Sequence, residues 1–135
     1  MWSRVERALG LVTVLHHTSP PSLILPSLYL GAVASYNAFD VRGWAQRVNI
    51  THVVDIGGAT YSLWARLPAI YVHKISVQDD TSQDLSGHLT EAVQFIAEAR
   101  DSRDSVVFVH CAMGASRSAS IVLAYIVQEV FRTFE

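Results

Sequence analysis

The order of apolar and polar positions along the chain predicts alternating strands and helices. Residues 23–30 are apolar and β-prone but contain Pro26, which favours an edge strand or a short hairpin. Residues 35–49 predict a helix with Phe39, Trp44 and Val48 on one face, although Gly43 lowers its helix propensity. Residues 51–56 form a continuous β-branched run before a pair of glycines, which is typical of a buried strand.

The second half of the chain continues this alternation. Residues 70–77 predict another strand, and residues 105–110 predict a further buried one. Between these strands, Ser86 or Asp84 is placed to cap a helix whose apolar residues recur at three- and four-residue spacing: Leu89, Ala92, Val93, Ile96 and Ala97. The pattern becomes helical again from about residue 116 to residue 131.

This succession of elements predicts an α/β fold. Strands that alternate with helices need crossover connections, which produce a mostly parallel central sheet flanked by helices. Ligands of such sheets bind beyond the carboxyl ends of the strands. Three segments lie at that edge: the glycines at 57 and 58, residues 78–85 and residues 111–117.

Length and composition restrict the alternatives. The 135 residues suit one domain with a substantial core, and 50% hydrophobic with 16% charged residues argues against a disordered chain. The net charge of -2 and the scattered basic residues give no reason to expect a nucleic-acid or membrane partner. The Ser19-Pro20-Pro21-Ser22 segment favours an extended path, so we divide the chain into an N-terminal appendage, 1–22, and a domain, 23–135.

The cysteine content and the N-terminus bear on the compartment. A single cysteine excludes a disulfide within the chain and favours a reducing compartment. Arg4 and Arg7 precede an apolar run at 8–15, but Glu6 interrupts the basic region, so a helical lead-in is favoured over a cleaved signal. No run reaches the 18 or so apolar residues of a membrane-spanning helix. We expect a cytoplasmic protein, with nuclear or mitochondrial location left open.

The segment from residue 109 to residue 118 is the most informative for chemistry. A buried strand brings Cys111 to the sheet edge, and a helix starts five or six residues later. The small residues between them let backbone N–H groups surround a tetrahedral anion at the helix N-terminus. These residues, together with Met113, are predicted to bind the substrate: Ala112, Gly114, Ala115 and Ser116.

The residues at either end of this loop carry the reaction chemistry. Arg117 begins the helix, and its planar guanidinium can bind two phosphate oxygens at once. The same positive environment stabilises a thiolate, so we expect Cys111 to be ionised at neutral pH, exposed and therefore oxidisable. We include His110 among the substrate-binding residues, as a brace that hydrogen-bonds the loop backbone rather than as a base or a metal ligand.

These residues resemble a known signature. His-Cys-x-x-Gly-x-x-Arg-Ser between a buried strand and a helix is similar to the signature of the protein tyrosine phosphatase superfamily. The segments Leu28-Tyr29-Leu30-Gly31, residues 50–55 and Ser116-Arg117-Ser118-Ala119 resemble the dual-specificity phosphatases within it. The resemblance covers roughly residues 23–131. It implies a phosphotyrosine protein phosphatase-like fold and, since no separate kinase-docking domain is visible, the small, atypical kind of enzyme.

The resemblance also implies further catalytic residues. It places a general acid in the loop after the preceding strand, where Asp79 matches best, Asp80 is the alternative and Asp84 matches a structural residue. In the family, the hydroxyl at the position of Ser118 helps the cysteine to leave in the second step. A Ser118 side chain that only caps the helix remains an alternative.

The implied activity is hydrolysis of phosphotyrosine, phosphoserine and phosphothreonine proteins through a phosphocysteine. It needs no metal and no cofactor, and no histidine–carboxylate cluster has metal-ligand spacing. A phosphoinositide phosphatase is less favoured, because the five residues between Cys111 and Arg117 are uncharged. The order of signature and acid also differs from low-molecular-weight tyrosine phosphatases, and rhodanese-like phosphatases lack this acid loop.

A catalytically impaired, phosphate-binding interaction module remains an alternative. The family continues for two more helices after the signature helix, whereas this chain ends at Glu135. We therefore expect a C-terminally truncated domain with exposed apolar surface. The oligomeric state and the physiological substrate are not predicted.

Overall fold

The computed structural model describes residues 20–32, 40–57, 63–76, 86–111 and 116–134. Within these ranges the chain forms five strands: β1 (Ser22–Leu25), β2 (Leu28–Ala32), β3 (His52–Ile56), β4 (Tyr71–Ile75) and β5 (Val107–Cys111). It also forms three helices: α1 (Val41–Arg47), α2 (Ser86–Asp101) and α3 (Ser116–Thr133). The predicted order of strands and helices is confirmed.

The strands make one sheet in the order β1-β2-β5-β3-β4. β1 pairs with β2 antiparallel, and the other three pairings are parallel. In the parallel part, Cys111 lies opposite both Ala32 and Ile56, and Ile56 lies opposite Ile75. The carboxyl ends of four strands are therefore level, and the mostly parallel α/β fold that the sequence predicts is confirmed.

The first two strands form a hairpin at one side of the sheet. Pro26 lies in the two-residue connection between β1 and β2, and Ser27 has a φ of 66°. A left-handed residue allows the tight reversal, and the proline needs no ladder hydrogen bond there. The prediction of an edge strand or short hairpin at residues 23–30 is confirmed.

Helix α1 depends on a side-chain cap. The Asp40 carboxylate accepts a hydrogen bond from the Gly43 N–H, with 2.9 Å between Oδ1 and N. A Cβ on Gly43 would lie 2.9 Å from the Asp40 carboxyl carbon, so the glycine leaves room for the cap. The sequence analysis treated Gly43 as a weakness of this helix, but here it helps the helix to begin. The predicted start of the helix, including Phe39, lies outside the described residues.

The sheet is packed on both faces. On one face, the side chains of Val107, Val109 and Cys111 join the core formed with helices α2 and α3. On the other face, Phe108 packs with Trp44 of α1 and with Trp64, which lies between β3 and β4. Successive side chains of a strand point to opposite faces, so β5 contributes to both layers.

Helix α3 carries an exposed apolar stripe. Its members recur at helical spacing and are 42–84% exposed: Leu123, Val127, Val130, Phe131 and, just beyond the helix, Phe134. The truncated domain to which the sequence analysis linked exposed apolar surface stays a prediction. No helix in the described ranges has the length and apolar character needed to cross a membrane.

Candidate active site

Strand β5 ends at the predicted nucleophile. All five of its residues are buried, and Cys111, the last of them, is 2% exposed. Two parallel neighbours, β2 and β3, hold the strand in register at this residue. Cys111 therefore lies at the carboxyl edge of the sheet, as expected for a ligand site. The expectation that its thiol is exposed is wrong, because the side chain is almost completely covered.

Ser118 meets Cys111 from the first turn of helix α3. Its hydroxyl oxygen lies 3.4 Å from the Cys111 sulfur and 3.4 Å from the carbonyl oxygen of Gly31 on β2. A hydroxyl has one proton to donate and two lone pairs to accept with. When the sulfur is a thiol, it can donate to Ser118 while Ser118 donates to Gly31. When the sulfur is a thiolate, the Ser118 proton is the one available to it.

The structure describes only some of the remaining predicted site residues. Arg117 is the second residue of α3 and is partly buried, one position before Ser118. The backbone of Ser116 begins the helix. The loop residues Ala112, Met113, Gly114 and Ala115, the Ser116 side chain, and the carboxylates Asp79, Asp80 and Asp84 lie outside the described part of the chain.

His110 lies on the opposite face of β5 from Cys111, in the tryptophan layer. Its Nε2 accepts a hydrogen bond from the indole N–H of Trp64, at 3.0 Å between the nitrogens. Its ring stacks on Phe108 with 5.1 Å between ring centroids. The expectation that His110 hydrogen-bonds the loop backbone stays a prediction, and the Trp64 side chain is a partner that the sequence analysis did not foresee.

A row of ionisable side chains crosses the sheet at this level. Asp55 on β3 lies opposite His110 on β5 and opposite Lys74 on β4. The Asp55 carboxylate is 3.7 Å from the His110 Nε2 through one oxygen and 3.7 Å from the Lys74 ammonium through the other. Asp55 is 9% exposed, so this charge is buried beside a histidine and balanced by a partly exposed lysine.

The electrostatic environment keeps His110 neutral. Its complete burial lowers the pKa of the imidazole below the usual 6.5, because desolvation penalises the charged form. The Asp55 carboxylate and an interaction with the Cys111 main chain act in the opposite direction, and Lys74 adds to the lowering. Burial prevails over the nearby carboxylate.

Trp64, Asp55 and Lys74 are site-adjacent residues that the sequence analysis did not identify. Asp55 gave a signal, because a carboxylate inside an apolar β-branched strand must be paired when it is buried. Trp64 gave none, since it lies in a connection outside the predicted elements and reaches His110 across 46 residues of chain. Among the described residues, no group of three histidine, cysteine or acidic side chains is arranged to hold a metal ion.

Comparison with known protein families shows which family contains this domain. Residues 28–133, from the start of β2 to the end of α3, match the dual specificity phosphatase catalytic domain. The chain belongs to the dual specificity phosphatase family. The resemblance to this family that the sequence analysis drew from the signature and the flanking segments is confirmed.

Individual relatives agree with this assignment. A probable dual specificity protein phosphatase of Dictyostelium discoideum is 34% identical over 114 residues, which cover 84% of this chain and 27% of that protein. Dual specificity protein phosphatase 1 of Arabidopsis thaliana is 34% identical over 124 residues, or 91% of this chain and 59% of the relative. The chain thus spans only part of these relatives.

Solved structures share the fold. The crystal structure of DUSP15 superimposes with a TM-score of 0.65 and 32% identity, covering 78% of this chain and 64% of that one. OH1 from the Orf virus, a tyrosine phosphatase, superimposes with a TM-score of 0.68 over 96% of this chain and 73% of OH1 at 19% identity, which shows the fold alone.

Proposed function

We propose that this chain dephosphorylates phosphotyrosine and phosphoserine or phosphothreonine proteins through a phosphocysteine at Cys111. The observation that supports the proposal most directly is the buried contact between the Cys111 sulfur and the Ser118 hydroxyl, at the junction of β5 and α3. The helix starts five residues after the buried cysteine, and a helix N-terminus at that distance favours an anion bound at the cysteine. Membership in the family supports the same activity.

In the first step, the Cys111 thiolate attacks the phosphorus of the bound phosphate ester. The S–P bond forms, the P–O bond to the substrate side chain breaks, and the leaving oxygen takes a proton from Asp79. Arg117 and the loop amides stabilise the equatorial oxygens, on which the transition-state charge lies. General-acid assistance of this kind contributes about 10²- to 10⁴-fold.

The register of the sheet supports Asp79 as an acid within reach of Cys111. Cys111 lies opposite Ile56 and Ile56 lies opposite Ile75, so β5 and β4 end level, two interstrand spacings or about 10 Å apart. The four residues from Ile75 to Asp79 span at most about 14 Å when extended. Asp80 is also within reach, so experiment must distinguish the two carboxylates.

In the second step, water attacks the phosphocysteine. Asp79, now ionised, takes a proton from the water, the P–O bond forms and the S–P bond breaks. The sulfur leaves as a thiolate, and the Ser118 hydroxyl donates a hydrogen bond to it from 3.4 Å. Inorganic phosphate is released, and the protein groups return to their starting protonation states.

Hydrolysis of a small aryl phosphate in the presence of a chelator tests the proposal. We expect turnover by the parent chain, none by Cys111→Ser, and a large loss with Asp79→Asn. Retention of activity by Cys111→Ser would overturn the proposed nucleophile. Loss with Asp80→Asn and normal turnover with Asp79→Asn would move the acid to Asp80.

The choice of substrate separates the alternatives. Phosphotyrosine, phosphoserine and phosphothreonine peptides should be hydrolysed, and a soluble phosphoinositide headgroup should react more slowly, because the loop residues between Cys111 and Arg117 carry no charge. Phosphopeptide binding without turnover would instead favour the impaired interaction module. A cytoplasmic location stays a prediction, as does the division of the chain at residue 22.

A further inference from the structure

We propose that Trp64 is a positioning residue that holds His110 in one neutral tautomer, with the ring proton on Nδ1, next to the nucleophile. Trp64 lies in the connection between β3 and β4, outside the signature segment, and is 2% exposed. Its effect on catalysis rests on the proposed function, but its effect on the tautomer does not.

The direction of the hydrogen bond decides the tautomer. An indole N–H can only donate, so the His110 Nε2, 3.0 Å away, must accept with its lone pair. A neutral imidazole that accepts at Nε2 carries its proton on Nδ1. The ring cannot turn freely to change this arrangement, because it lies between Phe108, at a centroid distance of 5.1 Å, and Trp64, at 5.6 Å.

Without the indole, the neighbouring carboxylate would favour the opposite arrangement. The Asp55 carboxylate lies 3.7 Å from the same Nε2, where an acceptor favours a proton on that nitrogen. The Lys74 ammonium on the far side of Asp55 weakens this effect of the carboxylate on Nε2. Among the described residues, the charged groups that act on the ring from neighbouring elements are Asp55 on β3 and Lys74 on β4, and Cys111 follows it on its own strand.

The fixed tautomer of His110 has a consequence for the site. Nδ1 is buried and, within the described residues, makes no hydrogen bond of good geometry. The hydrogen bond from Trp64 places the ring proton on Nδ1. That N–H can therefore donate to the adjoining main chain of Cys111. A neutral ring adds no positive charge next to the sulfur, so His110 would affect Cys111 through hydrogen bonding and not as a cation.

Nitrogen-15 NMR of the histidine-labelled chain tests the proposal without using activity. We expect the wild-type His110 to show a protonated Nδ1 and an unprotonated Nε2, with a scalar coupling through the hydrogen bond to the Trp64 indole nitrogen. In Trp64→Phe we expect Nε2 to become protonated and the His110 titration midpoint to rise by at least about one pH unit, as a nearby carboxylate dictates. Adding Asp55→Asn should reverse that rise.

Trp44→Phe is the matched control. Trp44 belongs to the same aromatic layer and packs on Phe108 at a centroid distance of 5.0 Å, but it is not the partner of His110. It should leave the tautomer unchanged. If the proposed function is correct, the pH profile of kcat/KM should also change shape in Trp64→Phe and keep its shape in Trp44→Phe.

The spectrum of the wild-type protein alone can overturn the proposal, so the test does not depend on the folding of a variant. A proton on Nε2 of His110, or the absence of coupling to the Trp64 indole, would do so. An unchanged His110 pattern in folded Trp64→Phe would do so as well. An inactive chain with the expected spectrum would contradict the proposed function but leave the proposed role of Trp64 standing.

Discussion

The Ser118 hydroxyl oxygen lies 3.4 Å from the Cys111 sulfur, and both side chains are buried. In the proposed mechanism this hydroxyl stabilises the departing thiolate, so Ser118→Ala should slow breakdown of the phosphocysteine more than its formation. A hydrogen bond to a charged group contributes about 1.5–3 kcal/mol, so steady-state kcat should fall about 10- to 150-fold. Rapid-mixing kinetics should then show a burst of the first product.

The exposed hydroxyl of Thr90 on α2 provides the control, and Thr90→Ala should keep normal turnover. Equal loss in the burst phase and in the steady state of Ser118→Ala would argue against a role specific to the second step. It would favour the alternative that Ser118 serves the start of the helix.

Gly31 is a second position where small changes should be costly. A Cβ at this residue would lie 3.2 Å from the Pro21 Cβ and 3.3 Å from a Phe108 ring carbon, tighter than ordinary packing. Gly31→Ala should therefore lower the free energy of unfolding by about 1–3 kcal/mol. It should also displace the carbonyl that faces Ser118 and reduce activity. Urea denaturation with a parallel assay measures both effects.

Gly87 offers the matched comparison. Apart from its own helix backbone and chain neighbours, no heavy atom of the described residues lies within 4 Å of a Cβ built there, and the residue belongs to helix α2. Gly87→Ala should leave the stability unchanged or raise it by up to about 1 kcal/mol, since alanine favours helices. A similar loss of stability in both variants would contradict the packing argument for Gly31.

Acid should destabilise the domain partly through His110. Its pKa lies below the usual 6.5 in the folded chain because of burial, so below about pH 6.5 the unfolded chain binds more protons. The free energy of unfolding should then fall as the pH drops from 7.5 to 5.5. His110→Gln, which keeps an acceptor for Trp64, should show a smaller fall in urea titrations at the two pH values.

His52 contributes in the same direction, because burial also lowers its pKa. The comparison of wild type with His110→Gln isolates the part due to His110. Identical pH dependence in the two proteins would mean that the folded and unfolded chains protonate His110 alike.

The Asp40 cap should account for part of the stability of helix α1. Asp40→Ala removes the acceptor for the Gly43 N–H, and loss of such a cap costs about 0.5–2 kcal/mol. Glu91→Ala, which removes an exposed acidic side chain from helix α2, controls for the change in charge. Equal thermal unfolding midpoints for the two variants would indicate that the capping bond contributes nothing.

Much of this fold could be predicted because most of its strands are runs of apolar residues. The β5 strand and its terminal Cys111 follow from a run of buried residues next to small ones, a pattern that requires no knowledge of distant contacts. The relation of Ser118 to Cys111 came from the family resemblance, and the two residues lie only seven positions apart in the chain. These relations are local in the chain.

Relations across the sheet could not be predicted in the same way. Asp55, Lys74 and His110 are far apart in sequence, and only the strand register aligns them. The partnership of Trp64 with His110 depends on where a connecting segment folds back over β5. The cap at Gly43 was misinterpreted because intrinsic propensity was counted without the side chain of Asp40 that occupies the space.

The alternation of side chains along β5 has a genetic consequence. Cys111 belongs to the layer of α2 and α3, while His110, its neighbour in the chain, belongs to the layer of α1 and the tryptophans. Substitutions that disturb the packing of either layer can therefore displace the dipeptide His110-Cys111. A saturation mutagenesis map of activity should show sensitive positions in both halves of the interior, many of them far from any residue that touches phosphate.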